Sequence, residues 1–374
     1  MENIIFSCAL AFLITLFSIP VIIEVAKDKK LFDVPGGRKV HKVVIPTLGG
    51  LGIFAGFIIG TLLGVPASDS SVLQYFAAAI MIIFFMGIKD DILILTATKK
   101  FVGQLIAAGV IIKFGGIEIN NFYGLLGVHE IPHTASFLIS LFAIVVITNS
   151  FNLIDGVDGL AGSLGLLTSI IFGLYFYLSG ELLYAVIAWS LAGSLAGFLI
   201  YNFSPAKIFM GDTGSLLIGL VNSILVIKFI NIASNPGGAI PLPSAPALGF
   251  SILVIPLFDT LRVVSVRIIH RRSPFWPDRN HIHHFLLDMG LSHKAIALLL
   301  PTTNLLLVLM AYILRFEGSL VVFTALAGTS IVSVALIKYN KPRQKIMVTN
   351  GHLHEEPVLG THKILTITEP LEQN

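Results

Sequence analysis

The chain has 374 residues, 55% of them hydrophobic and 12% charged, with a mean hydropathy of +0.90 and a formal net charge of +3. Soluble domains carry about 25% charged residues, so a soluble globular protein is excluded, and so small a net charge does not mark a nucleic-acid binder. The single cysteine, Cys8, excludes an intramolecular disulfide and a cysteine metal cluster.

Apolar stretches of roughly 17–25 residues, the length that crosses a hydrocarbon core, recur along the chain and predict an all-α polytopic integral membrane bundle of about eleven transmembrane helices. They lie near residues 3–25, 47–65, 71–88, 102–114, 134–151, 161–178, 182–200, 214–231, 247–264, 295–314 and 318–337. The first has no basic n-region and no small-residue cleavage site, so it reads as a retained span rather than a signal peptide. The segments 26–46, 89–101, 152–160, 201–213, 265–294 and the tail after 337, with Arg262, hold 21 of the 24 Lys and Arg. The other three, Lys113, Lys228 and Arg315, fall near the opposite helix ends. Cytoplasmic loops collect such residues, which predicts an outside N-terminus and a cytoplasmic C-terminus. Residues 1–340 form the predicted transmembrane domain; 341–374 form a polar cytoplasmic tail with one strand-like run, KILTIT.

Every unusual polar stretch falls on the predicted inner side. In RKVHKVVIPTLGG, Arg38, Lys39, His41 and Lys42 are either topogenic charge or a docking point for an anionic soluble group. Asp90 and Asp91 close the third span. Adjacent carboxylates near hydrocarbon are costly unless paired or hydrated. They form either an interfacial cap paired with Lys89 or Lys99, or a site that handles a metal or a proton. In NLIDGVDG, Asn152, Asp155 and Asp158 are spaced by three. They share one face if the segment is helical, or else build a polar turn, and Gly156 and Gly159 leave room for close approach.

In FMGDTGS, Asp212 is placed either to cap the next helix or, with Asn152, to offer the hard oxygen ligands that Mg²⁺ prefers. His281, His283 and His284 in PDRNHIHH follow Arg271, Arg272 and Arg279. Arginine with histidine suits a diphosphate. A zinc reading of His281 and His283 is weaker, because cysteine is missing and the acids suit Mg²⁺. No Walker A pattern supports ATP hydrolysis, and no HEXXH supports an intramembrane metalloprotease.

Acids for a divalent metal, bases for phosphates and an apolar scaffold together point to phosphoryl transfer between a soluble polyanion and a lipid-borne phosphate. The competing reading is a secondary transporter with acidic coupling-ion sites. Such sites usually lie near the bilayer midplane on broken helices, whereas these acids map to helix ends.

Through PTLGG, the DD pair, NLIDGVDGLAG, FMGDTGSL and PDRNHIHH, over roughly residues 33–300, the chain resembles the polyprenyl-phosphate N-acetylhexosamine-1-phosphate transferases. Those bacterial inner-membrane enzymes move a sugar phosphate from a UDP-sugar to undecaprenyl phosphate and release UMP. The related phospho-MurNAc-pentapeptide transferases typically carry three consecutive histidines; here Ile282 interrupts the run, as in the branch that uses UDP-GlcNAc or a related sugar. The resemblance implies a multi-pass enzyme with a cytoplasmic active site, acting at the first membrane step of a cell-surface polysaccharide. It implies Mg²⁺, with Mn²⁺ as a substitute, held by Asn152 and Asp212. Asp90 and Asp91 would handle the acceptor phosphate, with Asp90 a candidate general base. Asp155 and Asp158 would line the metal and nucleotide pocket. His281, His283, His284 and Arg279 would orient the diphosphate, Arg271 and Arg272 would assist, and Lys42 would approach the nucleotide. Members are often dimeric, so a second copy joins the expected partners: UDP-N-acetylhexosamine, undecaprenyl phosphate and the bilayer, with no nucleic acid.

Overall fold

The computed structural model describes residues 1–29, 45–66, 70–93, 95–273 and 280–339. Among these, thirteen α-helices form and β-structure is limited to an isolated bridge between Asn121 and Glu130. The helices are α1 (Glu2–Asp28), α2 (Gly49–Gly64), α3 (Ser70–Leu93), α4 (Ala97–Lys113), α5 (His133–Ile154), α6 (Leu160–Leu178), α7 (Leu182–Asn202), α8 (Gly211–Ala233), α9 (Ala245–Ile252), α10 (Val254–Ile269), α11 (Ile282–Asp288), α12 (His293–Ile313) and α13 (Ser319–Tyr339). Eight described helices are long and apolar enough to cross a membrane: α1, α3, α5, α6, α7, α8, α12 and α13. Helix α2 is apolar but only 16 residues long. This is a multi-pass helical membrane protein. The predicted tail, 341–374, lies outside the described residues.

Helices α7 and α8 are the most enclosed and form the centre. Outer helices expose large apolar side chains such as Phe17 on α1 and Leu306 on α12, as lipid-facing surfaces do. Lipid tails are as apolar as leucine, so helices in a membrane associate by close packing through small residues. Helix α2 carries Gly52, Gly56, Gly60 and Gly64 at every fourth position. A Cβ on Gly56 would stand 2.5 Å from the Ala11 carbonyl oxygen, and one on Gly60 2.8 Å from that of Ser7. The same device seats α3 on the start of α8, where a Cβ on Gly87 would lie 2.5 Å from the Thr213 Cα.

The ninth predicted span, 247–264, is not one helix. It breaks at Leu253 into α9 and α10. Proline has no N–H to donate back one turn, so Pro256 cannot bond the Ile252 carbonyl. Asn304 of α12, fully buried, does so instead: its Nδ2 donates to Ile252 O at 2.9 Å and its Oδ1 accepts from Ile255 N at 3.1 Å. Backbone groups freed inside an apolar bundle need such a partner. Helix α4 also departs from expectation: it begins at Ala97 rather than 102, which brings Lys100 into its first turn.

Candidate active site

The C-terminal ends of α3, α5 and α7 and the N-terminal ends of α4, α8 and α12 meet at one end of the bundle. Between them lies a cavity of about 570 Å³, lined among others by Asp90, Asp91, Asn152, Asp155, Asp158, Asp212 and His293. Backbone bonds set its floor. Phe209 N donates to Pro46 O at 2.7 Å, Gly49 N to Phe209 O at 2.9 Å and Gly50 N to Met210 O at 2.8 Å. These tie the PTLGG turn to the segment that leads into α8.

The cap of α8 is supplied by Asp91, not by Asp212. Asp91 Oδ1 accepts from Asp212 N at 2.6 Å; its Oδ2 accepts from Thr213 N at 3.1 Å and from Thr213 Oγ1 at 2.5 Å. Free N–H groups in the first turn require such an acceptor. The Asp212 side chain is thereby released to face the cavity. Its Oδ1 accepts from Asn152 Nδ2 at 3.0 Å, and its Oδ2 from Lys100 Nζ at 2.6 Å. Lys100 Nζ also stands 2.6 Å from Asp90 Oδ2, and Asp90 Oδ1 accepts from Leu95 N. The cation paired with the DD motif is therefore Lys100, rather than Lys89 or Lys99.

The NLIDGVDG segment is not a continuous helix. Helix α5 ends at Ile154, and Asp155 through Gly159 form a turn before α6. Asn152 thus projects from a helix while Asp155 and Asp158 project from a turn, yet all three reach the cavity. Asp158 N donates to His293 Nδ1 at 3.4 Å, Asp158 Oδ1 lies 3.2 Å from the same nitrogen, and Asp158 Oδ2 accepts from Ala206 N at 3.3 Å. Gly159 N donates to Asn202 Oδ1 at 2.9 Å, closing the turn. Burial, then the negative charges of Asp212, Asp91 and Asp158, push the half-buried Asp155 carboxyl up to about 7.

The histidines stand behind this turn. His283 is 2% exposed, and a Cβ on Gly156 would lie 2.5 Å from its Nε2. Burial, then the neighbouring His284, pull its imidazole down to about 3, so it is neutral at physiological pH. His281 is turned toward Asp259, with Nδ1 2.9 Å from Asp259 Oδ2. None of His281, His283 and His284 lines the cavity. Arg271 and Arg272 are exposed past the end of α10 and do not line it either. Lys42 and Arg279, with Arg38, Lys39 and His41, lie outside the described residues.

The model of glycosyl transferase family 4 matches residues 73–230, the stretch from α3 to α8 that carries the five cavity aspartates and Asn152. The chain is similar to a probable undecaprenyl-phosphate N-acetylglucosaminyl 1-phosphate transferase of Bacillus subtilis (strain 168), 33% identical over 82% of this chain and 84% of the relative. It is 36% identical to a decaprenyl-phosphate N-acetylglucosaminephosphotransferase of Mycobacterium leprae, over 78% of each chain. The chain belongs to the polyprenyl-phosphate N-acetylglucosamine-1-phosphate transferase family. A more distant member, the undecaprenyl-phosphate alpha-N-acetylglucosaminyl 1-phosphate transferase of Escherichia coli (strain K12), is 27% identical over 76% of each chain.

The donor set of this family member suits a hard divalent cation. Among the described residues no three His, Cys, Asp or Glu side chains converge to hold a metal by themselves. Mg²⁺ seldom needs that, since it commonly takes one or two carboxylates and completes its shell with water and substrate phosphate. Asp90 and Asp212 share one positive charge, the Lys100 ammonium, which leaves the pair one negative charge for a metal to meet. Asn152 would contribute by turning its amide oxygen toward that place.

Four residues at or near the site escape a reading of the sequence: Lys100, His293, Asn202 and Asp259. Only Asp259 leaves a clear signal, a carboxylate within the apolar run VIPLFDTLRVV.

Proposed function

We propose that the chain transfers GlcNAc-1-phosphate from UDP-GlcNAc to undecaprenyl phosphate, giving the lipid-linked diphosphate sugar and UMP. The observation that carries this is the convergence of Asp90, Asp91, Asn152, Asp155, Asp158 and Asp212, from separate segments, on one cavity at the end of an apolar bundle. A water-soluble polyanion enters from the aqueous side, and a lipid-borne phosphate arrives along the bundle. An acceptor phosphate oxygen attacks the phosphorus that bears the sugar; the bond from that phosphorus to the UMP oxygen breaks, and UMP leaves with the electron pair. One phosphoanhydride is exchanged for another, so no ATP is needed.

The chain's part is positioning and charge. Asp212, Asn152 and Asp90 would hold Mg²⁺, which when bound neutralises developing phosphate charge. Lys100 supplies a fixed positive charge beside that place. Asp91 keeps the start of α8 in position and leaves its own carboxylate fully engaged. Asp155 and Asp158 border the nucleotide side, where the Asp158 backbone N–H donates to His293 Nδ1. The histidine segment acts from behind the Asp155–Gly159 turn.

The proposal includes the topology. Helices α2 and α4 and the α9–α10 pair would complete eleven crossings, with the cavity, most Lys and Arg and the C-terminus on the cytoplasmic face. A transporter finds less support, because the break between α9 and α10 is filled by Asn304 rather than by a carboxylate. The test is direct. Purified protein is incubated with Mg²⁺, undecaprenyl phosphate and a panel of UDP-sugars, and UMP and the lipid product are read by mass spectrometry. UMP and a GlcNAc-diphosphate lipid are expected with UDP-GlcNAc. No UMP with any donor, where a family relative is active, would overturn the proposal.

A further inference from the structure

Helix α10 buries a carboxylate that does not line the cavity. Asp259 is 1% exposed. Replacing a buried ion pair by apolar side chains is often neutral or stabilising, so stability alone does not account for an acid there. Its partners do. Oδ1 accepts from Arg262 Nη2 at 2.7 Å and from Ile282 N at 3.1 Å, and Oδ2 accepts from His281 Nδ1 at 2.9 Å. Arg262 Nη2 donates in turn to Asn280 O. Residues 280–282, which open α11, are thus pinned to α10 side chain by side chain.

The pinned segment leads to the cavity. The His281 ring lies parallel to that of His283, with centroids 5.6 Å apart and planes 9° apart. His283 is buried, and its Nε2 faces Gly156 so closely that no Cβ would fit there. Gly156 stands in the turn between Asp155 and Asp158, and all three line the cavity.

We propose that Asp259 is a positioning residue for the transfer: through His281 and the start of α11 it seats His283 against Gly156, and so holds the turn that presents Asp155 and Asp158. The inference rests on the transfer activity proposed above. Asp259 touches no substrate, and its effect passes through His281.

The test compares Asp259→Asn, His281→Gln and the double variant, all as full chains in detergent with UDP-GlcNAc, undecaprenyl phosphate and Mg²⁺. His281→Gln keeps the Asp259–Arg262 pair and guards against simple misfolding. Small misplacements at a reacting centre cost up to about 100-fold, so each single variant is expected to lose about 10–100-fold in kcat, with KM for both substrates moving less than about threefold. The double variant is expected to be no worse than the worse single one, because residues in one contact chain are non-additive. Asp259→Glu is expected to recover part of the Asn variant's loss. Multiplying losses in the double variant, a change confined to KM, or full activity in either single variant would overturn the inference while leaving the transfer reading intact. An inactive wild-type protein would overturn both.

Discussion

Asp91 caps the helix that carries Asp212: its carboxylate accepts the backbone N–H groups of Asp212 at 2.6 Å and of Thr213 at 3.1 Å. The two acids therefore have different jobs, although both belong to short acidic motifs. Asp91→Ala would strand two backbone donors and the Thr213 hydroxyl in a partly buried place. A lost cap costs about 1 kcal/mol and each stranded buried donor about 1–3 kcal/mol. The expected result is a lower melting temperature as well as lost activity. Asp212→Ala, which leaves the cap in place, should abolish activity with much less loss of melting temperature. Differential scanning fluorimetry on the two variants, beside UMP release, checks this; equal melting temperatures would contradict the division of roles.

Lys100 bridges Asp90 and Asp212 at 2.6 Å each. Lys100→Met leaves two carboxylates facing each other with no cation. The variant is expected to be less stable than wild type without divalent ions and to gain more melting temperature from added Mg²⁺, because the metal then takes the whole of the missing charge's place. Ligand linkage makes such a gain grow with metal concentration. A Mg²⁺-induced shift no larger than in wild type would show that the two carboxylates are not a cation site.

Asp155 offers a pH signature. Its folded value, about 7, lies above the ordinary 3.8, so between these values the folded protein binds more protons than the unfolded chain. Stability from this group therefore falls as pH rises through that window and stays low above it. The full displacement corresponds to roughly 4 kcal/mol; water in the cavity screens a half-buried carboxyl, which reduces the expected swing to roughly 2 kcal/mol. In EDTA, from about pH 5 to about pH 8, wild-type protein should lose several degrees more of melting temperature than Asp155→Asn. Parallel melting curves for the two would sink the assignment.

The membrane spans are legible because hydropathy is a local property of about twenty residues. The break at Leu253 leaves no trace in hydropathy, although Pro256 is its visible cause. The acids of the site stand out because charge is rare in so apolar a chain, and Asp90, Asp91, Asn152, Asp155, Asp158 and Asp212 do converge. Pairings are another matter. Lys100 meets Asp212 across 112 positions of sequence, a meeting decided by how α3, α4 and α8 pack, not by any spacing. The reading of Asn152, Asp155 and Asp158 as one helical face fails for a local reason: Gly156 and Gly159 favour the turn. The histidines were legible as a cluster, but the carboxylate that holds them, Asp259, lies 22 residues before His281.

Gly211 gives the sharpest single-atom test of the site's construction. It adopts a φ of +72°, which side-chain-bearing residues rarely take, and a Cβ there would lie 2.7 Å from both Asp91 carboxylate oxygens and closer still to the Thr47 carbonyl oxygen. A left-handed backbone costs an alanine about 1–2 kcal/mol, before any clash. The clash cannot be relieved cheaply, because Thr47 belongs to the turn bonded to Phe209 and Met210, and Asp91 is held by Asp212 N and Thr213 N. Gly211→Ala is therefore expected to push Asp91 off the helix start, lower the melting temperature and abolish UMP release. Gly180→Ala is the control: that residue has a similar φ of +79°, but a Cβ there meets nothing within 4 Å. The backbone penalty is shared, so the difference between the two variants isolates the contact with Asp91 and Thr47. Equal losses in both would mean that the crowding at Gly211 contributes nothing to the site.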